Sequence, residues 1–255
     1  MIGRFSKRAA RERFVEALDK AMDAWPPHEI LDVPTTWGTT RVHHRPGTGK
    51  PIVLLHGAGA TSAMWAGTVK RINRPVFAVD ILGDAGGGVQ TAPLTKGMNA
   101  WLAEVLKALD LEDPLLVGIS YGAWIAALHP VTESVLVEPA AGTFAPYRFR
   151  AVFYAVLAKL SRSEWAWRRY LRWLSNGEEP SDAAVIGLTH WRTGLPLPRR
   201  IRTPIEARTV VIVGEHSRAQ DSRKVIARAK ELSNARIVVV RGGHGLPVNL
   251  ADYLE

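Results

Sequence analysis

Apolar positions along the chain follow two periods, one helical and one strand-like. Residues 6–25 place Phe14, Ala17, Leu18, Met22 and Trp25 at helical spacing and stop at Pro26-Pro27, which predicts an N-terminal helix. His28–Val33 and Thr39–His44 read as short strands joined in a hairpin across Trp37-Gly38. A regular alternation then begins. Apolar runs at Ile52–Leu55, Val76–Ile81, Leu115–Ile119 and Ser134–Val137 predict strands, and the stretches Ser62–Ile72, Thr95–Leu109 and Tyr121–Leu128 predict helices. From about residue 142 to about 205 the pattern is helical and rich in Trp and Arg. Strand Thr209–Val213, helix Ser222–Leu232, strand Arg236–Val240 and a last helix Pro247–Leu254 follow.

Strands that are apolar throughout, separated by helices, imply an α/β fold: a mostly parallel, doubly wound sheet covered on both faces. The expected organisation is a core of residues 1–141 and 206–255, with 1–27 as its N-terminal helix, interrupted by a helical lid insertion at 142–205. No apolar run approaches the roughly 20 residues of a membrane span, and the basic N-terminal stretch lacks the apolar segment of a secretory signal. The chain has no cysteine, which removes disulfides, thiolate chemistry and cysteine-held metals. A cytoplasmic protein without stable membrane association is the plainer expectation, although a cysteine-free chain also suits export.

Charge changes this picture locally. Of the net +9, residues 1–14 carry +4 and residues 148–202 carry +7. Such a surface attracts anions, whether nucleic acid, lipid or an acidic substrate. Its plain reading is an arginine-rich solvated face, and no nucleic-acid partner is expected.

Three strand ends carry candidate chemistry. Gly118-Ile119-Ser120-Tyr121-Gly122 lies between a predicted buried strand and a helix, the setting in which a tight turn presents Ser120 as a nucleophile and the flanking positions must be small. Val239–Val240 runs into Arg241-Gly242-Gly243-His244, a loop that lets His244 reach Ser120 as general base. Leu54-Leu55-His56-Gly57-Ala58-Gly59 ends an earlier strand. Gly57-x-Gly59-x-x-Ser62 with Asp80 downstream also approximates a dinucleotide-binding turn, but the third glycine is missing and Ser120 and His244 are left unexplained. Gly47-Thr48-Gly49-Lys50 precedes a strand, where a phosphate loop follows one, and His43 and His44 point to opposite faces of a strand.

Together these motifs, with His56–Trp65 and Ala78-Val79-Asp80-Ile81-Leu82-Gly83-Asp84, resemble the α/β-hydrolase superfamily, and its bacterial carboxylesterases in particular. The resemblance runs from about residue 28 onward. It implies an α/β-hydrolase fold, Ser120 as nucleophile, His244 as base, the backbone N–H groups of Ala58 and Tyr121 as oxyanion hole, and no metal or organic cofactor. Serine at the nucleophile position sets the chain apart from epoxide hydrolases and dehalogenases. The implied reaction is cleavage of a carboxylic ester or related acyl substrate through an acyl-enzyme. A lyase, cyclase or acyltransferase on the same fold, and a ligand-binding protein with a decayed triad, stay open as alternatives.

One position departs from that pattern. Related esterases hold the triad carboxylate where Ser217 stands in Val213-Gly214-Glu215-His216-Ser217. Glu215 is adjacent, but acids there have other uses in the family. The expected replacement is Glu138, followed by Pro139-Ala140 as in the pancreatic-type lipases of the superfamily; Asp221, whose place before a helix also fits an N-cap, is the alternative acid. A triad with neither is the third case. The insertion, with Trp165, Trp167, Trp173 and Trp191 among Arg168, Arg169 and Arg172, suits an apolar small-molecule acyl substrate bearing an acidic group; interfacial membrane contact is a weaker reading. Oligomeric state is not legible.

Overall fold

The computed structural model describes residues 1–140, 142–244 and 250–254. The chain opens with β1 (Arg4–Phe5), α1 (Arg8–Met22), the hairpin β2 (Glu29–Thr35) and β3 (Gly38–Arg45), and β4 (Ile52–Leu55). A 3₁₀ turn at Ser62–Trp65 leads into α2 (Ala66–Val69), then β5 (Val76–Val79), β6 (Val89–Gln90), α3 (Met98–Ala108), β7 (Leu115–Ile119), α4 (Tyr121–Leu128) and β8 (Glu133–Val137). Three helices follow, α5 (Phe149–Ser161), α6 (Glu164–Leu174) and α7 (Asp182–His190), then β9 (Trp191–Arg192), β10 (Arg208–Gly214), α8 (Ser222–Leu232) and β11 (Arg236–Val240).

The large sheet has the order β11-β10-β8-β7-β4-β5-β3-β2, with β6 on β3. From β5 to β11 every pairing is parallel, and β2, β3 and β6 are antiparallel additions at one end. The apolar runs seen in sequence are explained by burial on both faces. In β4, Val53 and Leu55 join one core with α3, α4 and α8, while Ile52 and Leu54 join the other with Trp25, Trp65 and Leu250.

Chain order reverses around β4: the connection to β5 leaves in one direction and β7 returns on the other side. Crevices at such switch points, outside the carboxyl ends of parallel strands, are where α/β sheets hold their sites. His56, Ser120 and Glu138 each follow the last residue of β4, β7 and β8, and the loops after β10 and β11 lie at the same end.

The elements match the sequence expectation in type, with local differences. Ser62–Ile72 is a 3₁₀ turn plus a four-residue helix, because Gly67, Thr68 and Val69 are poor helix formers and the Asp80 carboxylate holds Ser62. The N-terminal helix ends at Met22, and Trp25 beyond it is buried with its indole N–H on the Ser62 carbonyl. Of the expected last helix, Leu250–Tyr253 forms a 3₁₀ turn, and residues 245–249 lie outside the described ones. The pair β1–β9 and strand β6 are additions without a sequence signal, because two-residue strands carry no period. Within the helical block, α7 packs on α1 through Phe14, Ala183 and Ile186. Among the described residues no helix is long and apolar enough to cross a membrane.

Glycines at the β7–α4 turn set how closely it packs. A Cβ on Gly122 would lie 2.1 Å from the Leu55 carbonyl oxygen, whereas one on Gly67 meets nothing within 4 Å. Gly122→Ala is therefore expected to lower unfolding free energy by about 3 kcal/mol, the upper end for overpacking. Gly67→Ala should be neutral or stabilising by up to about 1 kcal/mol. Urea midpoints of the two variants measure the contrast.

Candidate active site

Ser120 sits at φ 50°, ψ −108°, between the last residue of β7 and the first of α4. This left-handed backbone is strained for a residue with a Cβ and persists only where its surroundings fix it. They do so from both sides. Its N–H donates to the Val137 carbonyl (3.0 Å), and its own carbonyl accepts from Ala140 N–H (3.0 Å) and Trp124 N–H (3.2 Å). A Cβ on Gly118 would stand 2.3 Å from the Gly122 backbone, so the turn closes only with glycine there.

The serine hydroxyl lies 3.0 Å from His244 Nε2, and His244 Nδ1 lies 2.8 Å from Glu138 Oε2. Glu138 is 1% exposed and also at positive φ, 43°. Its carboxylate accepts from two further donors besides His244: Gly214 N–H donates to Oε1 (2.6 Å) and the Ser217 hydroxyl to Oε2 (2.6 Å). Because the carboxylate is the acceptor, the imidazole proton belongs on Nδ1, which leaves Nε2 with the lone pair facing the serine. Behind it, the fully buried Gln220 amide donates to the Pro139 carbonyl (2.6 Å).

Of the two replacement acids, the structure brings Glu138 to His244 and leaves Asp221 elsewhere. Asp221 is the N-cap of α8, accepting from Arg223 N–H at 3.0 Å. Ser217 stands where the resemblance called for a carboxylate, and it hydrogen-bonds the acid that arrives from the neighbouring strand. That exchange is possible because β8 and β10 pair in register, Val137 opposite Ile212, so both strand ends reach the same point.

Ala58 and Tyr121 flank the serine from the β4 loop and from the first position of α4. Among the described residues neither backbone N–H has an acceptor. Gly57 lies against the serine, its nearest neighbours being Ser120 Cβ and the Ile119 carbonyl. Two side chains of the motif segments, whose roles have no sequence signal, hold this loop. Fully buried His56 accepts from Ile81 N–H at Nε2 (2.9 Å) and therefore donates from Nδ1 to the Gly57 carbonyl (2.8 Å). Asp84 accepts from Gly59 N–H (2.6 Å) and Ala85 N–H (2.9 Å), and burial pushes its carboxyl above the usual range.

Asp80 is similarly committed, accepting from Ser62 N–H, the Ser62 hydroxyl and Gly87 N–H. Burial works against its charged form, but the neighbouring His43 and the hydrogen bonds outweigh it and hold the carboxyl well below its usual range. No ribose acid is left for a dinucleotide site. His43 and His44 do diverge: His43 faces His28 (3.2 Å), and His44 stacks on Phe77. In the helical block Arg168 is turned to Glu179 and Asp182. Arg169 and Arg172 border a cavity that neither Ser120 nor His244 lines.

Comparison with known proteins agrees with this architecture. The sequence model of the alpha/beta hydrolase family matches residues 52–253. The chain belongs to that family. The alpha/beta hydrolase is 24% identical to "Uncharacterized carboxylesterase nap" of Bacillus subtilis (strain 168), with 95% of this chain and 90% of the relative covered. Among solved structures it resembles the carboxylesterase CesB (YbfK) of Bacillus subtilis at a TM-score of 0.83, with 22% identity over 96% of this chain and 95% of that one. Naproxen esterase of the same organism gives 0.80, with 20% identity over 98% and 96%.

The N-cap reading of Asp221 has a direct check. Asp221→Asn keeps a capping acceptor and should leave the melting midpoint unchanged, while Asp221→Ala should cost about 1 kcal/mol, measured by denaturant unfolding.

Proposed function

We propose that this alpha/beta hydrolase is a serine carboxylesterase in which Ser120, His244 and Glu138 form the triad. The observation that carries the reading is the unbroken hydrogen-bonded line from the Ser120 hydroxyl through both imidazole nitrogens to a buried carboxylate. The strained strand-to-helix turn of Ser120 and the carboxylesterase names of the relatives support it.

In this reading His244 Nε2 removes the hydroxyl proton as Ser120 Oγ bonds to the carbonyl carbon of an ester. The negative charge moves to the former carbonyl oxygen, where the Ala58 and Tyr121 N–H groups donate to it. Preorganised donors of this kind are worth about 3 kcal/mol each in a transition state. The tetrahedral centre collapses, the C–O bond to the alcohol breaks, and His244 passes its proton to the departing oxygen. Water repeats the sequence on the acyl-serine: His244 takes one of its protons, its oxygen bonds to carbon, and the serine leaves reprotonated. Glu138 keeps the ring oriented and stabilises the imidazolium that forms twice per cycle. No step calls for a metal or organic cofactor.

The helices of residues 142–205 act as a lid over this site. Supporting that role, the carbonyl of Leu174 at the end of α6 accepts from His244 N–H (3.3 Å), and Tyr147 before α5 forms a bridge to Gln220. The substrate class is a carboxylic ester.

A fluorophosphonate probe should label the wild-type protein once, and Ser120→Ala should not label; labelling of that variant would remove the nucleophile assignment. On p-nitrophenyl esters, Glu138→Gln should lower kcat by about 10³–10⁴. Asp221→Asn should stay near wild type, and the reverse ranking would move the acid.

A further inference from the structure

The helical block contains a cavity that the proposed ester chemistry does not use. It lies between α5 and α6, measures about 790 Å³, and has neither Ser120 nor His244 in its walls. Small-molecule sites span about 300–1,000 Å³. Its walls include the aromatic rings of Tyr154, Trp165, Tyr170 and Trp173: Tyr154 meets Trp173 edge-on at 5.1 Å, and Tyr170 stands 6.2 Å from the same indole. Its charged lining is of one sign, from Arg169, Arg172 and Arg218, with no acid among the described lining residues.

These guanidiniums are poorly matched by carboxylates. Arg218 donates to the Trp173 carbonyl and lies over its ring at 5.4 Å, and Arg169 lies over Trp165 at 5.6 Å. The carboxylate nearest Arg172 is Glu179 at 3.9 Å, and Arg168 holds the same group at 2.7 Å. Between residues 148 and 172 seven Arg or Lys face one acid, Glu164. The apolar side is equally unmatched. α5 buries only Ala151 and Ala158, while Phe149, Val152, Phe153, Val156, Leu157 and Leu160 form an exposed stripe at helical spacing. Leu157 belongs both to that stripe and to the cavity wall.

We propose that this cavity is an accessory binding site for a long-chain carboxylate, its alkyl chain against Leu157, Tyr154 and Trp173 and its carboxylate among Arg169, Arg172 and Arg218. The pairing of an apolar wall with unmatched cations selects this occupant. A second copy of the chain would bring the same basic patch against itself across a two-fold axis, and a neutral amphiphile would leave the arginines without a counter-charge. The site adjoins the histidine loop, since Gly243 packs against the Leu174 carbonyl and Asn176. It stands independently of the role assigned to Ser120.

The test uses Ser120→Ala protein and laurate below its micelle concentration, read by tryptophan fluorescence and calorimetry. Saturable one-site binding is expected, with affinity rising about two- to fourfold per added CH₂ from octanoate to laurate, and with dodecanol at least tenfold weaker. The exposed pair Arg169→Gln and Arg172→Gln, checked for an unchanged melt, should weaken laurate tenfold or more and leave dodecanol unaltered. Equal binding of laurate and dodecanol, or laurate binding indifferent to the double variant, would overturn the proposal. Binding of phosphatidylglycerol vesicles without binding of laurate would transfer the patch to a lipid surface and overturn it as well.

Discussion

The Glu138 carboxylate is the interaction on which the site depends. A carboxylate taken out of water is costly unless it is paired and hydrogen-bonded. Here its three donors come from three separate segments: the end of β10, the Ser217 turn and the loop after β11. The parallel register of β8 and β10 brings the first two to it, and the third fixes the imidazole tautomer that faces Ser120. The residue's left-handed backbone is held in turn by its N–H on the Ile212 carbonyl. One buried charge thereby ties sheet register to the orientation of His244.

Strain at the serine follows the same logic. A positive-φ serine would relax if its neighbours gave way, and they are packed so that they do not. Gly118 and Gly122 admit backbone where any Cβ would collide, and the β4 loop lies against the serine at Gly57. That loop is held from behind by His56 and Asp84, which leaves the N–H groups of Ala58 and Tyr121 without acceptors among the described residues. Two N–H groups without acceptors beside Ser120 suit the oxyanion that the proposed reaction would develop.

Much of this is legible in sequence, for identifiable reasons. β4, β5, β7 and β8 are buried on both faces, so their apolar runs stand out whatever their propensities. Ser120 and His244 announce themselves because glycines at fixed offsets have a steric cause. Glu138 is harder to assign, since an acid before proline at a strand end says nothing of the histidine 106 residues later; only the pairing of β8 with β10 brings them together. Ser217 is misleading for the same reason: it vacates one strand end while serving the acid on the next. His56 and Asp84 act through backbone groups, and such contacts leave no spacing to read. The short strands β1, β6 and β9 and the 3₁₀ turn at Ser62 depend on tertiary partners and have no local signature.

The central claim is that Glu138, arriving from β8, is the carboxylate that holds the His244 Nδ1 proton. Proton NMR reads that bond directly through the downfield Nδ1–H resonance of the histidine. The account predicts a resonance that is present in wild type, retained in Asp221→Asn and lost in Glu138→Gln. A downfield resonance that survives Glu138→Gln unchanged would contradict it.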